Sequence, residues 1–163
     1  MPDELFALTQ LTSLKLTNNT QLDGALSSDN RLARLSKLET LEAGYTQLQG
    51  TLSPGMFASL TALQTFRVPG AALSGPLPEE LALWNASLQT LWLQDNKLTG
   101  TLPTALDALT ALVELKLEGN DITGNVSQSL CSRRGERFQE LAVLTVDCAV
   151  GCSCCDFYEE NCG

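Results

Sequence analysis

Apolar and polar residues alternate in a short pattern that recurs along the chain. In "SLKLT", Leu14 and Leu16 face one side of an extended strand, while the polar residues between and beside them face the other. The pattern returns in "LTSLKLTNN", "LETLEAGYT", "LQTFRVPGA", "LQTLWLQDN" and "LVELKLEGN", whose starts lie 27, 25, 25 and 24 residues apart. A diverged copy, "LAVLTVDCA", begins at Leu141. This spacing predicts one short strand per repeat.

A glycine-containing segment follows each strand: "QLDGAL", "QLQGTLSP", "ALSGPLP", "KLTGTLP" and "DITGNVS". We interpret its glycine as the place where the coil turns, because a Cβ would crowd the chain there. Pro78 and Pro103 close the turn, since proline cannot donate to a ladder. An amphipathic stretch such as "TALDALTAL" comes next and predicts a short helix. One coil cannot bury its own leucines, so neighbouring coils must stack into a parallel solenoid.

A polar position follows each strand, and its side chain differs between copies. Asn19, Asn96 and Asn120 carry an amide that can bond backbone groups left unpaired by the bend. Thr46 and Ala71 replace the asparagine in the second and third copies, and alanine supplies none of that bonding. We therefore predict a looser ladder in the middle of the array.

The two halves together read L-x-x-L-x-L-x-x-N-x-L-x-G-x-L-P, which resembles the leucine-rich repeat family, and the G-x-L/I-P half resembles its plant-type subclass. The resemblance implies an α/β fold, a right-handed solenoid bent into a horseshoe arc, with a parallel concave β-sheet and a convex side of 3-10 or short α-helices. We expect repeats over residues 1–146 and a cysteine-rich cap over residues 147–163.

The beginning of the chain aligns with the middle of a repeat. Pro2 in "PDELFALTQL" takes the place of Pro78 and Pro103. We therefore expect a fragment of a longer protein, with the leader and any membrane anchor outside this chain. The alternative is that Met1 is the true start.

Outward strand positions line the concave sheet, which is the usual binding face of solenoids. We predict a ligand-binding set on this face: Lys15, Glu42, Tyr45, Arg67, Trp92, Gln94, Lys116 and Glu118. Trp92 is the sharpest candidate, because Leu91 and Leu93 must point inward and a tryptophan flanked by cations has the composition of an interaction hot spot. The competing interpretations are that Trp92 only packs over its neighbours and that the charges are a solvated face. Trp84, on the convex side, is expected to pack in the core.

Composition narrows the classes of function. The chain has 32 leucines, no histidine and a net charge of -9. Without histidine, Ser-His-Asp and Cys-His catalysis and histidine metal ligands are excluded, and no phosphate-binding glycine motif occurs. We predict no enzyme, no catalytic residue and no cofactor. The negative charge disfavours nucleic acid, and no apolar run is long enough to span a bilayer.

Five of the six cysteines crowd the end of the chain in "DCAVGCSCCDFYEENCG". We interpret the spacing as lacking a C-x-x-C pair, which favours disulfides over a zinc or redox site. The predicted disulfide set is Cys131, Cys148, Cys152, Cys154, Cys155 and Cys162, with the pairing left open and no metal. The ending is similar to the C-terminal caps of leucine-rich repeat proteins from diatoms and related algae, which implies a secreted or cell-surface protein. Phe157 and Tyr158 are expected to supply apolar cover.

Three N-x-[ST] sequons, at Asn18, Asn85 and Asn125, are predicted N-glycosylation sites on turns or the convex side. With the cysteines they favour an extracellular or cell-surface location. The first hypothesis for function is a non-catalytic ectodomain fragment, receptor-like or inhibitor-like, that binds a protein or peptide on its concave face. The alternative is a structural or adhesive extracellular repeat protein that binds matrix or cell-wall polysaccharide. A cytosolic scaffold is the third.

Overall fold

Stacked parallel strands form the inner wall of the molecule. The structure is a computed structural model that describes residues 3–26, 31–135, 141–147 and 149–156. Six three-residue strands pair in parallel in the order in which they occur along the chain. They are β1 (Ser13–Lys15), β3 (Thr40–Glu42), β5 (Thr65–Arg67), β7 (Thr90–Trp92), β9 (Glu114–Lys116) and β11 (Val143–Thr145). We call this the concave sheet, and it confirms the predicted solenoid.

A second parallel sheet runs along the glycine-containing segments, where the sequence predicted only turns. Its strands are β2 (Asp23–Ala25), β4 (Gln47–Gly50), β6 (Ala72–Pro76), β8 (Lys97–Thr101), β10 (Asp121–Asn125) and β12 (Val150–Gly151). The repeat glycines lie within these strands and bend them by taking positive φ angles, such as 104° at Gly50 and 82° at Gly100. The turning role assigned to glycine is therefore correct, but the turn occurs inside a paired strand.

Short helices form the convex layer. The 3-10 helices span Asp3–Ala7, Arg31–Arg34 and Glu79–Trp84, and the α-helices are α1 (Pro54–Ser59), α2 (Ala105–Ala108) and α3 (Gln128–Cys131). Between this layer and the sheets lies one leucine-rich core. Trp84 is fully buried there, 4.4 Å from Phe57 and 5.5 Å from Phe66 between ring centroids, which confirms its packing role. In the described part of the chain, no helix is long and apolar enough to cross a membrane.

The asparagine amides connect each coil to the coil before it. Asn96 donates from Nδ2 to the carbonyl of Leu93 in its own coil, at 2.9 Å, and to that of Val68 in the preceding coil, at 2.8 Å. Its Oδ1 accepts from the backbone N–H of Leu73, also in the preceding coil, at 3.0 Å.

Asn120 repeats this arrangement one coil later, where its Oδ1 accepts from the backbone N–H of Leu98 and its Nδ2 donates to the carbonyl of Leu93. Thr46 closes only its own coil, by donating to the carbonyl of Ala43 and accepting from the N–H of Leu48. The coil that contains Ala71 is served by Asn96, so its backbone is not left without an amide partner.

The last strand of the concave sheet is covered by carboxylates rather than by another strand. Asp147 accepts from the backbone N–H groups of Gly119 and Asn120, at 2.6 and 2.9 Å. In earlier coils the N–H group at the position of Gly119 donates to a backbone carbonyl of the next coil instead. Asp156 donates its backbone N–H to the carbonyl of Leu144 and accepts from the N–H of Leu144 through Oδ2, at 2.9 Å. Asp147 thus serves the coil that contains β9, and Asp156 gives the edge strand β11 two of the bonds that a further strand would supply.

Arg134, which follows α3, also contacts Asp156. Its guanidinium lies 2.5 Å from Oδ1 of Asp156 and also donates to the carbonyls of Leu141 and Ala142. Arg133 donates to the carbonyls of Thr110 and Leu112. Burial lowers the pKa of Arg133, and the neighbouring charge of Asp107 raises it in part. The segment after α3 is thus held to both of the last two coils.

Among the described residues, one disulfide joins the cap to the last helix and a second lies within the cap. Cys131, in α3, pairs with Cys154, and Cys152 pairs with Cys155, with Cα atoms 5.6 and 5.8 Å apart. The interpretation that the segment lacks a C-x-x-C pair is wrong, since Cys152 and Cys155 are three residues apart and form one. Cys148, Cys162, Phe157 and Tyr158 lie outside the described residues.

Candidate functional site

The concave sheet presents one outward side chain from the last residue of each strand. This central column reads Lys15, Glu42, Arg67, Trp92, Lys116 and Thr145. Strand register fixes it, because in-register parallel strands place equivalent residues about 4.8 Å apart on the same face. Side chains of this length must therefore contact their neighbours along the column.

Ion pairs run through the first part of the column. Oε1 of Glu42 lies 3.4 Å from Nζ of Lys15 and 3.7 Å from a guanidinium nitrogen of Arg67. Arg67 also reaches Glu114 of the neighbouring outward column, at 3.8 Å. These charged side chains are therefore not a set of separately solvated groups. They form a connected network in which Arg67 contacts two carboxylates.

Trp92 lies between two cations. The guanidinium carbon of Arg67 is 4.0 Å from the centroid of the indole ring, and Nζ of Lys116 is 4.2 Å from it. Arg67 comes from β5 and Lys116 from β9, the two strands that flank β7. Both contacts have cation–π geometry. Trp92 points outward as predicted, but these neighbours leave it only part exposed.

A pocket of about 180 Å³ opens on this face, and we call it the concave pocket. It is lined by Thr17, Glu42, Tyr45, Arg67, Pro69, Trp92 and Gln94. Pro69 of its lining lies against Gly44 of the preceding coil, where an added Cβ would stand 2.6 Å from Cδ of Pro69. A larger residue at either position would displace the neighbouring coil.

Tyr45 stands at the rim of the pocket in an uncommon backbone conformation. Its φ is 54°, a left-handed value that asparagine and aspartate adopt at the same rim position in other coils, at Asn18 and Asp95. Aromatic residues rarely take this conformation. The ring packs on Gly70, where an added Cβ would lie 2.6 Å from Cδ1 of Tyr45, and the side chain stays 50% exposed. An aromatic ring is thus fixed on the surface with local strain, a combination typical of functional sites.

Several polar atoms around the pocket are shielded from solvent and lack a hydrogen-bond partner among the described residues. They include Nε1 of Trp92, Oε1 of Gln94 and Nε of Arg67. An unpaired buried polar group costs about 1 to 3 kcal/mol. The packing around the pocket therefore holds these groups at a cost in stability.

Five of the predicted site residues line the concave pocket together: Glu42, Tyr45, Arg67, Trp92 and Gln94. Lys15 and Lys116 flank it through their contacts with Glu42 and Trp92. Glu118 lies apart, where it accepts a hydrogen bond from the hydroxyl of Thr145.

Sequence reasoning left Thr17, Pro69 and Glu114 out of the predicted set. The first two lie in the outward column next to the central one, and that alignment was the available signal for them. Glu114 lies on the other side, and only the geometry of Arg67 shows its role.

The predicted glycosylation sites are accessible, and the cysteines that could hold a metal are oxidised. Asn18, Asn85 and Asn125 are exposed, and their glycosylation stays a prediction.

The sulfurs of Cys131, Cys152 and Cys154 lie within 4.8 Å of one another, close enough to share a metal. All three are held in disulfides, and a metal ligand would have to be the free thiolate.

Known proteins share the repeat and the fold of this chain. A family model described as Leucine Rich Repeat matches residues 87–109. No curated protein matches the chain significantly. Many solved structures do resemble it, and ectodomains of plant receptors are prominent among them.

The leucine-rich repeat ectodomain of the plant membrane receptor kinase GASSHO1/SCHENGEN3 from Arabidopsis thaliana, in complex with CASPARIAN STRIP INTEGRITY FACTOR 2, is 28% identical with a TM-score of 0.72, over 81% of this chain and 15% of that chain. A chain of the BIR3–SERK2 complex from Arabidopsis thaliana is 30% identical with a TM-score of 0.70, over 79% of this chain and 66% of that chain. A plant ice-binding protein is 25% identical with a TM-score of 0.72, over 80% of this chain and 41% of that chain. The chain thus spans less than two thirds of the length of each.

Proposed function

The chain is a leucine-rich repeat protein of the plant type, and from this premise we propose that it is a non-catalytic ectodomain segment that binds a protein or peptide on its concave face. The observation that carries the proposal is the concave pocket, where a strained, exposed Tyr45 and a cation-flanked Trp92 converge. Aromatic residues and arginine are enriched among residues that dominate binding energy.

The structural relatives support the same class of function. The solved structures of GASSHO1/SCHENGEN3 and of HAESA are complexes with CASPARIAN STRIP INTEGRITY FACTOR 2 and with the peptide hormone IDA, and BIR3 is solved with SERK2. The disulfides that close the last coil favour an oxidising compartment, so we place the protein outside the cell or at its surface. Receptor-like and inhibitor-like roles both fit.

A polysaccharide-binding, adhesive protein is the second candidate. Aromatic rings that bind sugars do so through an open face, and the ring of Trp92 is already in contact with the cations of Arg67 and Lys116. Among the aromatic residues that line the pocket, only Tyr45 offers an exposed ring. The pocket is therefore better suited to a peptide segment than to a sugar ring.

The test measures partner binding by two matched variants of the full chain. Wild type, Trp92→Ala on the concave face and Thr123→Ala on the second sheet are screened against secreted and cell-surface proteins of the same source and against an oligosaccharide array. We expect a protein partner whose Kd rises at least tenfold for Trp92→Ala and is unchanged for Thr123→Ala, with unaltered circular dichroism. Binding to oligosaccharides alone, or equal affinity of the Trp92 variant for every partner found, would contradict the proposal.

A further inference from the structure

The charged groups of the concave pocket are already paired with one another. Glu42 is shared by Lys15 and Arg67, and Arg67 is shared by Glu42 and Glu114 at 3.7 and 3.8 Å. An ionic ligand group would have to displace one of these partners, and a half-broken, part-buried pair is unfavourable. The pocket therefore favours an uncharged occupant, even though charged residues line it.

In the central column, the ring of Trp92 lies between two cations. The order from β9 back to β5 is Lys116, the indole of Trp92 and the guanidinium of Arg67, with 4.2 and 4.0 Å contacts. A guanidinium is planar and stacks on aromatic rings through its faces. Trp92 contacts Arg67 from the side of β7. Three pocket residues, Thr17, Glu42 and Tyr45, come from the two coils on the other side of Arg67.

The size of the pocket matches a single ring. Its volume of about 180 Å³ is close to that of an engineered apolar cavity of about 150 Å³ that holds benzene. Pro69 is buried at its floor and the ring of Tyr45 stands at its rim, so an entering ring meets apolar surface on one side and an aromatic neighbour on another.

We infer that the concave pocket takes one uncharged aromatic side chain, phenylalanine or tyrosine, from an extended segment of the peptide or protein partner. The ring stacks on Arg67 and so extends the series Lys116, Trp92, Arg67 by one more member. Tyr45 closes the rim beside it. This inference rests on the proposed function and specifies the chemical class of the group that anchors the partner.

The experiment uses nuclear magnetic resonance of the ¹⁵N-labelled full chain, because the indole N–H groups report on the site. The chain has two tryptophans. Trp84 is fully buried in the core and serves as the internal reference, and Trp92→Phe assigns the signals. The probes are N-acetyl-L-phenylalaninamide, N-acetyl-L-leucinamide, phenylacetate and methyl β-glucoside.

We expect N-acetyl-L-phenylalaninamide to shift the Trp92 signal saturably, with a Kd in about the millimolar range for so small a probe, and to leave Trp84 unchanged. The leucine amide, the anion and the glucoside should each bind at least fivefold more weakly. Thr17→Phe, which places a ring of the chain itself at the pocket, should weaken binding at least tenfold. Thr99→Phe, an equally exposed change on the second sheet, should not.

Several outcomes would overturn the inference: no saturable shift of Trp92 with the phenylalanine amide, equal or tighter binding of phenylacetate, the leucine amide or the glucoside, or full binding by Thr17→Phe. Its failure is separable from that of the proposed function. If a partner depends on Trp92 but the phenylalanine amide does not bind, only the anchor is wrong. If the amide binds and no partner depends on the concave face, the proposed function is wrong.

Discussion

The two ends of the solenoid satisfy their outermost coils in different ways. At the C-terminal end, the carboxylates of Asp147 and Asp156 bond backbone groups of the last two coils, and a disulfide ties the cap to α3. At the other end, β1 pairs with β3 alone among the strands of the described part, and the amide of Asn19 makes one bond, to the carbonyl of Leu16. Asp156, through its carboxylate and its backbone N–H, therefore takes the place of part of a further coil beside β11.

The apolar side chains of the two ends differ in the same direction. Leu144, in β11, is fully buried, whereas Leu14, at the same position of β1, keeps 7% of its surface exposed. Leu8 is 53% exposed, and Leu11, Leu16 and Leu22 are only part buried. At the C-terminal end the leucines are covered and the backbone groups are bonded. At the other end both the burial of the leucines and the bonding of the backbone are incomplete.

The largest effect is expected from truncating equivalent leucines at the two ends. Leu144→Ala should lower the free energy of unfolding by about 2 to 5 kcal/mol, because it leaves a cavity under the cap. Leu14→Ala should cost about 1 kcal/mol less, since the site is packed from one side. Urea unfolding followed by circular dichroism measures both, and Leu91→Ala in the centre gives the reference for a coil covered on both sides. Equal losses for Leu144 and Leu14 would show that the cap adds no packing.

A somewhat smaller effect is expected from the disulfides. Replacing Cys131 and Cys154 by serine opens a cross-link between residues 23 apart in sequence and should cost about 2 to 4 kcal/mol. The double replacement of Cys152 and Cys155 is the matched control, since that cross-link spans a separation of only 3 and should cost about 1 to 2 kcal/mol. Unfolding midpoints without reductant decide this, and a larger loss in the control pair would mean that the shorter link holds the cap.

The smallest effects separate the asparagines. Asn120→Ala removes an amide that bonds two coils and should cost about 2 kcal/mol, because buried backbone groups of both coils lose their partners. Asn19→Ala removes one exposed bond and should cost about 0.5 kcal/mol or less. Thermal unfolding at matched concentration resolves the difference. Similar losses would show that the bonds between coils add little to stability.

The sequence predicted the parts of the structure that follow from a repeating pattern. The alternation around Leu14, repeated at intervals of about 25 residues, is sufficient to place β1 and its equivalents and to turn Trp92 outward. The second sheet was missed because glycine at the centre of each segment was interpreted as a turn signal alone. A positive φ and a parallel ladder are compatible when every coil bends at the same position.

The candidate site was predicted only as a set of positions. Column alignment brought Glu42, Tyr45, Arg67, Trp92 and Gln94 to one face, but it could not show that Arg67 covers the indole or that Tyr45 takes a left-handed backbone. Those features depend on side-chain rotamers and on neighbouring coils. The binding role of the concave residues, the glycosylation of the sequons and the domain boundary after residue 146 stay predictions.

The amides of Asn96 and Asn120 make each coil depend on side chains of the coil that follows it. Each one serves backbone groups of the coil before it, and Asp147 does the same for the coil of Asn120. Backbone bonds between coils are lost whichever neighbour is removed, but removing the C-terminal neighbour also strips its predecessor of these side-chain partners. An array of these units therefore needs, after its last coil, a segment that supplies amide or carboxylate groups in place of the next asparagine, as Asp147 does here.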